Sequence, residues 1–292
     1  MLGQERGALS LDDKIDFFLL KNQCYYRCSM SNGVFWVAHR GFADNFAENS
    51  ADALRGATQA GADAIEVDVR VTRDTVPVLL HDETLLRTLG VDQRIDRLTY
   101  EQVDRSVCNA TCALPTLRDA LQVTSAPLIL DIKVTDDDAA LRAILETCSD
   151  DLHRCWLQSS CVKTLHWFEA NIGRARRKGN VLALMDGSQC EEQRRQLCEF
   201  VGSRGAEHIR YGVNVEFGAL HTKQCSSMRL QIGRIADDHP LQRCCWTLND
   251  ERHARLAYEC GYRAFICDNL ACVAWQLDGG DTTPQEQIGV LF

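Results

Sequence analysis

The feature that most constrains the fold of this chain is a regular alternation of short apolar runs with longer amphipathic segments. The alternation begins at Val34 and continues to about Asp268. Short runs rich in β-branched residues indicate strands, and near-continuous apolar strands separated by helices are typical of a parallel sheet that is covered on both faces. The runs read VFWVAH, DAIEVDV, VPVLLH, APLILDIK, HRCWLQ, NVLALM, YGVNVEF, RCCWTLN and RAFICD.

The segments between most of these runs carry apolar residues at helical spacing. They include NSADALRGATQAG, TLRDAL, DDDAALRAILETC, CEEQRRQLCEFVG and DERHARLAYECG. About eight such strand–helix units favour a closed barrel over an open sheet. We therefore predict an α/β fold, a (β/α)8 TIM barrel, in which Gly61 and Gly261 end two helices in the left-handed conformation.

The chain of 292 residues shows no low-complexity linker, and we predict a single domain. It comprises an N-terminal extension over 1–30, a barrel over 31–280 and a C-terminal tail over 281–292. Residues 82–114 are polar and unusually long for a barrel loop, and we expect them to form an insertion over the barrel mouth. A plain surface excursion is the alternative.

Charge and composition exclude several classes of function. The net charge of −9 disfavours broad attraction to nucleic acid. No stretch reaches the roughly twenty apolar residues of a membrane span, and no secretory signal is evident. We expect a cytoplasmic protein with no nucleic-acid partner and no transmembrane segment, and the oligomeric state is left open.

Cysteine is abundant, with fifteen residues scattered along the chain. No paired C-x-x-C motif occurs among them, so a structural zinc site is disfavoured. Reduced, buried thiols are the favoured interpretation, and a disulfide framework is the alternative.

Ionisable residues lie where several of the apolar runs end. His39 and Arg40 close the first run and His81 closes the third, while Asp268 follows the last. Active sites of parallel barrels form at the C-terminal ends of the strands, so we expect these side chains to share one mouth. Trp246, in the run CWTLN, is either an apolar wall beside that site or part of the core.

Three carboxylates and a lysine belong to the same predicted mouth. Residues two apart on a strand face the same side, which pairs Glu66 with Asp68 and Asp131 with Lys133. Three carboxylates in one place repel each other unless a cation joins them, and oxygen ligands favour Mg²⁺ or Ca²⁺. A lone Glu-x-Asp is more often a solvated strand end or a salt bridge, but the combination with Asp131 and two flanking histidines favours a metal. We therefore predict a divalent-cation site formed by Glu66, Asp68 and Asp131.

The remaining groups indicate the chemistry. His39 and His81 suit general acid and base catalysis, because an imidazole changes its protonation near neutral pH. Arg40 and Lys133 supply positive charge for phosphate oxygens, with a structural ion pair as the alternative for Lys133. Metal, cations and two histidines together favour phosphodiester cleavage, and we expect the partner to be a small-molecule or lipid-derived phosphodiester substrate.

Taken together, these motifs resemble those of the glycerophosphodiester phosphodiesterase (GDPD) family of the PLC-like phosphodiesterase superfamily. The resemblance covers roughly 34–270 and follows the family order of motifs. These are HRG (39–41), AENS (47–50), GADAIEVDVRVTRD (61–74), HD (81–82), LTYEQV (98–103), LPTLRDAL (114–121), LILDIK (128–133), CWTLND (245–250) and GYRAFICDNL (261–270).

The resemblance implies a TIM barrel that uses a divalent cation to hydrolyse glycerophosphodiesters, such as glycerophosphocholine, to sn-glycerol 3-phosphate and an alcohol. By position, His39 and His81 match the catalytic pair, and Lys133 matches the cation near the phosphate. Arg40 and Glu48 match polar residues that line the pocket, with Trp246 the aromatic residue beside it. Glu66, Asp68 and Asp131 match the metal ligands, and Asp131 is one methylene shorter than the glutamate of many members.

The sequence leaves two alternatives to this function open. The same chemistry on a lysophospholipid would give a lysophospholipase D-like activity, and an apolar groove beside the mouth would favour it. A non-catalytic barrel that binds phosphoesters is the second alternative, although every predicted catalytic and metal-binding position retains a competent side chain.

Overall fold

The fold is a closed barrel of parallel strands surrounded by helices, which confirms the predicted (β/α)8 architecture. The structure is a computed structural model that describes residues 34–107, 114–174, 178–202, 208–218 and 239–269. The predicted extension over 1–30 and tail over 281–292 lie outside the described residues, and the boundaries of the domain stay predictions.

Eight parallel strands close the barrel wall among the described residues. The first strand, β1, pairs with both the second and the last strand, and this pairing closes the barrel wall. Asp68 on the second strand lies beside Asp131 on the next, and Asp131 lies beside Gln158 on the one after. In chain order the strands are β1 (Phe35–Ala38), β2 (Ala64–Val71), β3 (Pro77–Leu79), β4 (Leu128–Ile132), β5 (Cys155–Ser159), β6 (Gly179–Met185), β7 (Ile209–Glu216), β8 (Arg243–Trp246) and β9 (Ala264–Cys267).

The third strand departs from the prediction of a uniformly parallel sheet. β3 runs antiparallel to β2, with Val71 opposite Pro77 and Val69 opposite Leu79. Only residues 72–76 separate the two strands. A parallel crossover needs a dozen or more residues, so this connection can only form a hairpin. The hairpin extends β2 beyond the barrel and folds the chain back toward its mouth.

The helices follow most of the predicted amphipathic segments, and their ends are capped by local side chains. Ser50, Asp137 and Asp250 each accept backbone N–H bonds at a helix start. Gly61 and Gly261 have φ of 80° and 94°, as predicted for helix ends. The described helices are α1 (Ala51–Gln59), α2 (Leu86–Leu89), α3 (Tyr100–Val107), α4 (Leu117–Val123), α5 (Asp138–Thr147), α6 (Val162–Arg174), α7 (Glu191–Gly202) and α8 (Glu251–Glu259), with short 3₁₀ turns at Ile95–Arg97 and Pro240–Gln242.

The interior of the barrel is apolar below and polar at the mouth. A buried cluster fills the lower interior with Val37, Ala64, Ile129, Trp156 and Ile266 among its members. Because side chains alternate along each strand, the next inward positions after these residues include the predicted site residues. The apolar layer therefore forms the floor of the site.

The insertion that follows β3 packs over its own small core. Val78, Leu80, Leu85, Ile95 and Val103 are all buried together beside the mouth. This segment holds α2, a 3₁₀ turn and α3, and residues 108–113 of it lie outside the described range. The described part of the insertion thus has a hydrophobic basis for its position.

The nine described cysteines are all free thiols, and five of them are buried. Among the described residues, none of the helices combines the length and the apolar character that crossing a membrane requires.

Candidate active site

A cleft of about 250 Å³ lies at the mouth of the barrel and gathers eight of the nine predicted site residues. They are His39, Arg40, Glu66, Asp68, His81, Asp131, Lys133 and Trp246. The ninth, Glu48, lines a neighbouring cavity and accepts a hydrogen bond of 3.1 Å from Arg40. The arrangement follows from the direction of the parallel strands, because their C-terminal ends meet at one face of the barrel.

Three carboxylates form a compact cluster in this cleft. Glu66 and Asp68 come from β2 and Asp131 comes from β4, and one oxygen from each lies within 4.8 Å of the others. All three side chains are buried, with exposures of 4, 1 and 5%. Such a cluster is strongly repulsive without compensating positive charge.

Two cations of the chain compensate part of this charge. The Lys133 Nζ lies 3.0 Å from an Asp68 oxygen and also contacts Asp131. The Arg40 Nε lies 3.2 Å from the other Asp68 oxygen. Burial opposes ionisation of Asp68, but Lys133 and Arg40 hold its pKa below the ordinary value. The lysine is therefore part of the site's charge balance.

The other two carboxylates remain undercompensated. Burial, followed by the charge of Asp68, raises the pKa of Glu66. Burial also raises the pKa of Asp131, against the opposing effect of Lys133. Clustered buried oxygens whose anionic forms are destabilised are a donor set that suits a hard divalent cation. The residues present thus fit the metal site predicted from the sequence.

His39 follows β1 directly and is held by an aspartate. Its Nδ1 lies 2.6 Å from Asp268, and Asn249 in turn donates to Asp268 at 2.6 Å. Its Nε2 lies 3.8 Å from Glu66. Burial alone would lower the pKa of His39, but the bond to Asp268 and the charge of Glu66 outweigh it and raise the pKa. The ring is therefore fixed through Nδ1 and directs Nε2 toward the carboxylates.

His81 reaches the same cleft by a different route. It follows the β2–β3 hairpin, where Leu80 N donates to Asp68 O at 3.1 Å and Arg70 Nε donates to the His81 carbonyl at 2.8 Å. Its Nδ1 lies 2.7 Å from Asp82. The structure brings His81 to the mouth, where it follows a hairpin and not the parallel strand that the sequence suggested.

The tight turn after His39 explains the glycine in HRG. Gly41 has φ of 80°, and a Cβ built there would lie 2.7 Å from the Cβ of Ala53. Only glycine avoids both the conformational and the steric penalty. The turn also directs the Arg40 N–H to a Glu66 oxygen at 3.0 Å. The motif therefore connects the first histidine to the carboxylate cluster.

Several residues of the site were not singled out from the sequence. Asn49 is buried and makes two hydrogen bonds with Asp68, accepting from its N–H at 3.0 Å and donating to its carboxylate at 2.8 Å. Gln158 lines the cleft beside Asp131 and accepts a hydrogen bond of 2.7 Å from Asn214. For Gln158 and Asn214, an amide within an apolar strand run was an available signal.

Arg87, in the insertion helix α2, was also missed. It donates to Glu48 at 2.7 and 2.8 Å and to Asp82 at 2.6 Å. Its hydrogen bond is the main reason that the pKa of Asp82 falls to about 2. Arg87 thus joins the aspartate that holds His81 to the loop that carries Glu48.

The family model and the named relatives of this chain point to the same protein family. The model of the glycerophosphoryl diester phosphodiesterase family matches residues 39–271. The chain is similar to the probable glycerophosphodiester phosphodiesterase 2 of Mycobacterium tuberculosis, with 38% identity over 42% of this chain and 45% of that protein. It is also similar to glycerophosphodiester phosphodiesterase 1 of Rattus norvegicus, with 39% identity over 29% of this chain and 28% of that protein. The chain therefore spans less than half the length of these relatives.

Solved structures show the same fold. A glycerophosphodiester phosphodiesterase from Thermotoga maritima superposes with a TM-score of 0.62 at 22% identity, covering 82% of this chain and 96% of that one. An Oleispira antarctica phosphodiesterase in complex with the product sn-glycerol-3-phosphate has a TM-score of 0.61 at 20% identity, covering 81% and 94%. At this identity the likeness concerns the barrel and its closure.

Proposed function

Because this chain belongs to the glycerophosphoryl diester phosphodiesterase family, we propose that it hydrolyses glycerophosphodiesters to sn-glycerol 3-phosphate and an alcohol, with a divalent cation. The observation that carries the proposal is the single cleft that joins a buried carboxylate cluster, two histidines and two cations. Glycerophosphocholine is the first substrate to test.

The carboxylates of Glu66, Asp68 and Asp131 are the residues that would hold the cation. If bound there, Mg²⁺ or Ca²⁺ would neutralise charge on the phosphoryl oxygens. Lys133 and Arg40 lie against the same cluster, so they add positive charge where the phosphodiester enters the cleft. Glu48 orients Arg40 from the outer side, and Trp246 forms an apolar wall.

The two histidines transfer the protons. One accepts the proton of the attacking oxygen as the new P–O bond forms, and the other donates a proton to the departing alkoxide as its P–O bond breaks. Asp268 holds His39 and Asp82 holds His81, each through Nδ1. That contact leaves Nε2 of each ring for the substrate. Either histidine can take either role in this geometry.

A lysophospholipase D-like activity is the second candidate, and one observation favours it. A neighbouring cavity of about 250 Å³ shares His81 with the cleft and is lined by Leu79, Leu80, Leu89, Leu114 and Pro115. An acyl chain attached to the substrate fits such an apolar lining.

The cytoplasmic location expected from the sequence stays a prediction.

The test is product analysis on glycerophosphocholine and lysophosphatidylcholine with Mg²⁺ and Ca²⁺ in parallel. We expect release of sn-glycerol 3-phosphate, loss of turnover on chelation, and recovery when the cation returns. His39→Ala and His81→Ala should each lower kcat by at least about a hundredfold. His166→Ala, on the exposed face of α6, is the matched control.

Three results would each change the proposal. Full activity after complete chelation would refute the role of the metal. Preferential cleavage of lysophosphatidylcholine would establish the second candidate. No turnover of either lipid-derived diester, with a folded protein and both cations, would contradict the proposed function.

A further inference from the structure

A second cavity beside the cleft is built from arginines and hydroxyl groups. This basic cavity, of about 340 Å³, lies among the β2–β3 turn, the loop after β4 and the insertion. Lys133 lines both the basic cavity and the catalytic cleft, so the two spaces are neighbours. Its other cations are Arg70, Arg73 and Arg94, and Thr72, Thr75 and Thr135 also line it.

Three acidic residues, Glu83, Asp96 and Asp137, also line the basic cavity. Arg94 donates to both oxygens of Asp96 at 3.0 Å and also binds Glu83. Asp137 accepts two backbone N–H bonds of 3.1 and 3.0 Å at the start of α5, so the helix terminus stabilises its charge. Lys133 is engaged by Asp68 and the carboxylate beside it.

Among the described residues, two guanidinium groups of the basic cavity form no ion pair with a carboxylate. Arg70 is half-buried, and its Nε donates to the carbonyl oxygen of His81 at 2.8 Å. Arg73 donates to the amide oxygen of Gln102 at 3.3 Å. Both partners are neutral. The charge of Glu83 acts on Arg70 and that of Asp74 acts on Arg73, but neither carboxylate forms an ion pair with its arginine. The remaining N–H groups of these two guanidinium groups can therefore receive an anion.

We propose that the basic cavity binds an anionic group carried by the alcohol portion of the substrate, either a carboxylate or a second phosphate. The proposal rests on the proposed function, because it assigns the phosphodiester itself to the neighbouring cleft. The glycerol portion is uncharged, so an additional anion can come only from the alcohol. Guanidinium groups suit both anions, since they offer paired N–H donors in one plane.

A purely structural role for Arg70 makes a different prediction. If Arg70 only braced the His81 carbonyl, its loss would slow the cleavage of every substrate by the same factor. If it also binds the alcohol's anion, its loss changes the ratio between an anionic and a neutral alcohol. The ratio of the two kcat/KM values therefore separates the two roles.

Glycerophosphoserine and glycerophosphoethanolamine form the matched substrate pair, since they differ by one carboxylate. We expect the wild-type chain to favour glycerophosphoserine in kcat/KM. Arg70→Gln should lower the ratio of the two values by about tenfold, the effect of one charge-assisted hydrogen bond. Arg73→Gln should lower it by about threefold, because this residue is exposed and its charge is screened. Arg55→Gln, an exposed ion-paired arginine on α1, should leave the ratio unchanged.

A binding measurement keeps this inference separate from the proposed function. Calorimetry in the His39→Ala background compares the affinity for the two diesters without turnover. Tighter binding of glycerophosphoserine, lost in the His39→Ala/Arg70→Gln double variant, supports the basic cavity even if hydrolysis fails. Equal affinity for both compounds, or an unchanged ratio in Arg70→Gln, overturns the inference while hydrolysis of glycerophosphoethanolamine still upholds the proposed function.

Discussion

Asn49 is the residue whose replacement most directly tests how the carboxylate cluster is held. It is 3% exposed and adopts φ of 56°, a conformation that asparagine tolerates better than most residues. Its side chain both donates to the Asp68 carboxylate and accepts from the Asp68 N–H. It therefore fixes the backbone and the side chain of one proposed metal ligand together.

The perturbation we choose is Asn49→Gly, which removes the amide and keeps the backbone unstrained. Loss of a hydrogen bond to a buried carboxylate costs about 1.5–3 kcal/mol, and an unsatisfied buried N–H costs about 1–3 kcal/mol. We expect the free energy of unfolding to fall by about 3–5 kcal/mol in the absence of metal. Asn49→Ala should lose about 1 kcal/mol more, because alanine resists positive φ.

Urea denaturation with and without Mg²⁺ or Ca²⁺ measures both effects of the change. A ligand that binds only the folded state stabilises it in proportion to the logarithm of its concentration over Kd. A misdirected Asp68 should weaken cation binding by about 10–100-fold, as loss of a group that orients a ligand does elsewhere. The cation's stabilising effect should therefore appear only at a correspondingly higher concentration.

The control is Asp136→Gly, which replaces an exposed residue at a similar φ of 56°. We expect it to change stability by less than about 1 kcal/mol. If Asn49→Gly behaves like this control, or responds to cations at the wild-type concentration, the argument that Asn49 fixes Asp68 is refuted.

Three further predictions concern the supports of the site. Arg87→Ala should lower kcat/KM by about tenfold, because it releases Asp82. Arg87→Lys should have an intermediate effect, and the control Arg97→Ala, at an exposed position, should leave kcat/KM unchanged. Equal activity of all three variants would contradict the role of Arg87. Asp268→Asn should lower kcat by on the order of a hundredfold, since His39 loses the carboxylate that fixes its ring, and normal kcat in steady-state assays would disprove this. Gly41→Ala should lower the free energy of unfolding by at least about 3 kcal/mol, whereas Gly173→Ala, with open space at its Cβ, should raise it by about 0.5–1 kcal/mol in the same denaturation assay. Similar values for the two glycines would count against the packing described for the HRG turn.

The barrel and most of the site could be predicted because both depend on periodic signals. Helical connections force neighbouring strands to run in parallel, so polar residues at the ends of apolar runs meet at one face. The pairing of Asp68 with Asp131 follows directly once β2 and β4 are neighbours. A pattern with a period of two also fixes which side chains point inward, and Glu66, Asp68 and Asp131 obey it.

The missed residues depend on contacts that carry no periodic signal. Arg87 meets Glu48 across 39 positions of sequence, and only the packing of the insertion brings them together. Asn49 contacts Asp68 from a left-handed backbone conformation. Asparagine tolerates this conformation, but nothing in the sequence requires it. The antiparallel direction of β3 was in principle readable, because the interval of residues 72–76 is too short for a helix.

The two histidines consequently depend on different parts of the molecule. His39 follows a strand of the closed wall, and its partner Asp268 follows the adjacent strand, so the pairing of these two strands positions both residues. His81 follows a hairpin: Arg70, on the part of β2 that pairs with β3, holds its carbonyl, and Asp82 holds its ring. The insertion therefore reaches His81 through the contact of Arg87 with Asp82. A substrate's alcohol bound in the basic cavity would act on the Arg70 side of this arrangement, which couples alcohol recognition to one histidine and leaves the other unchanged.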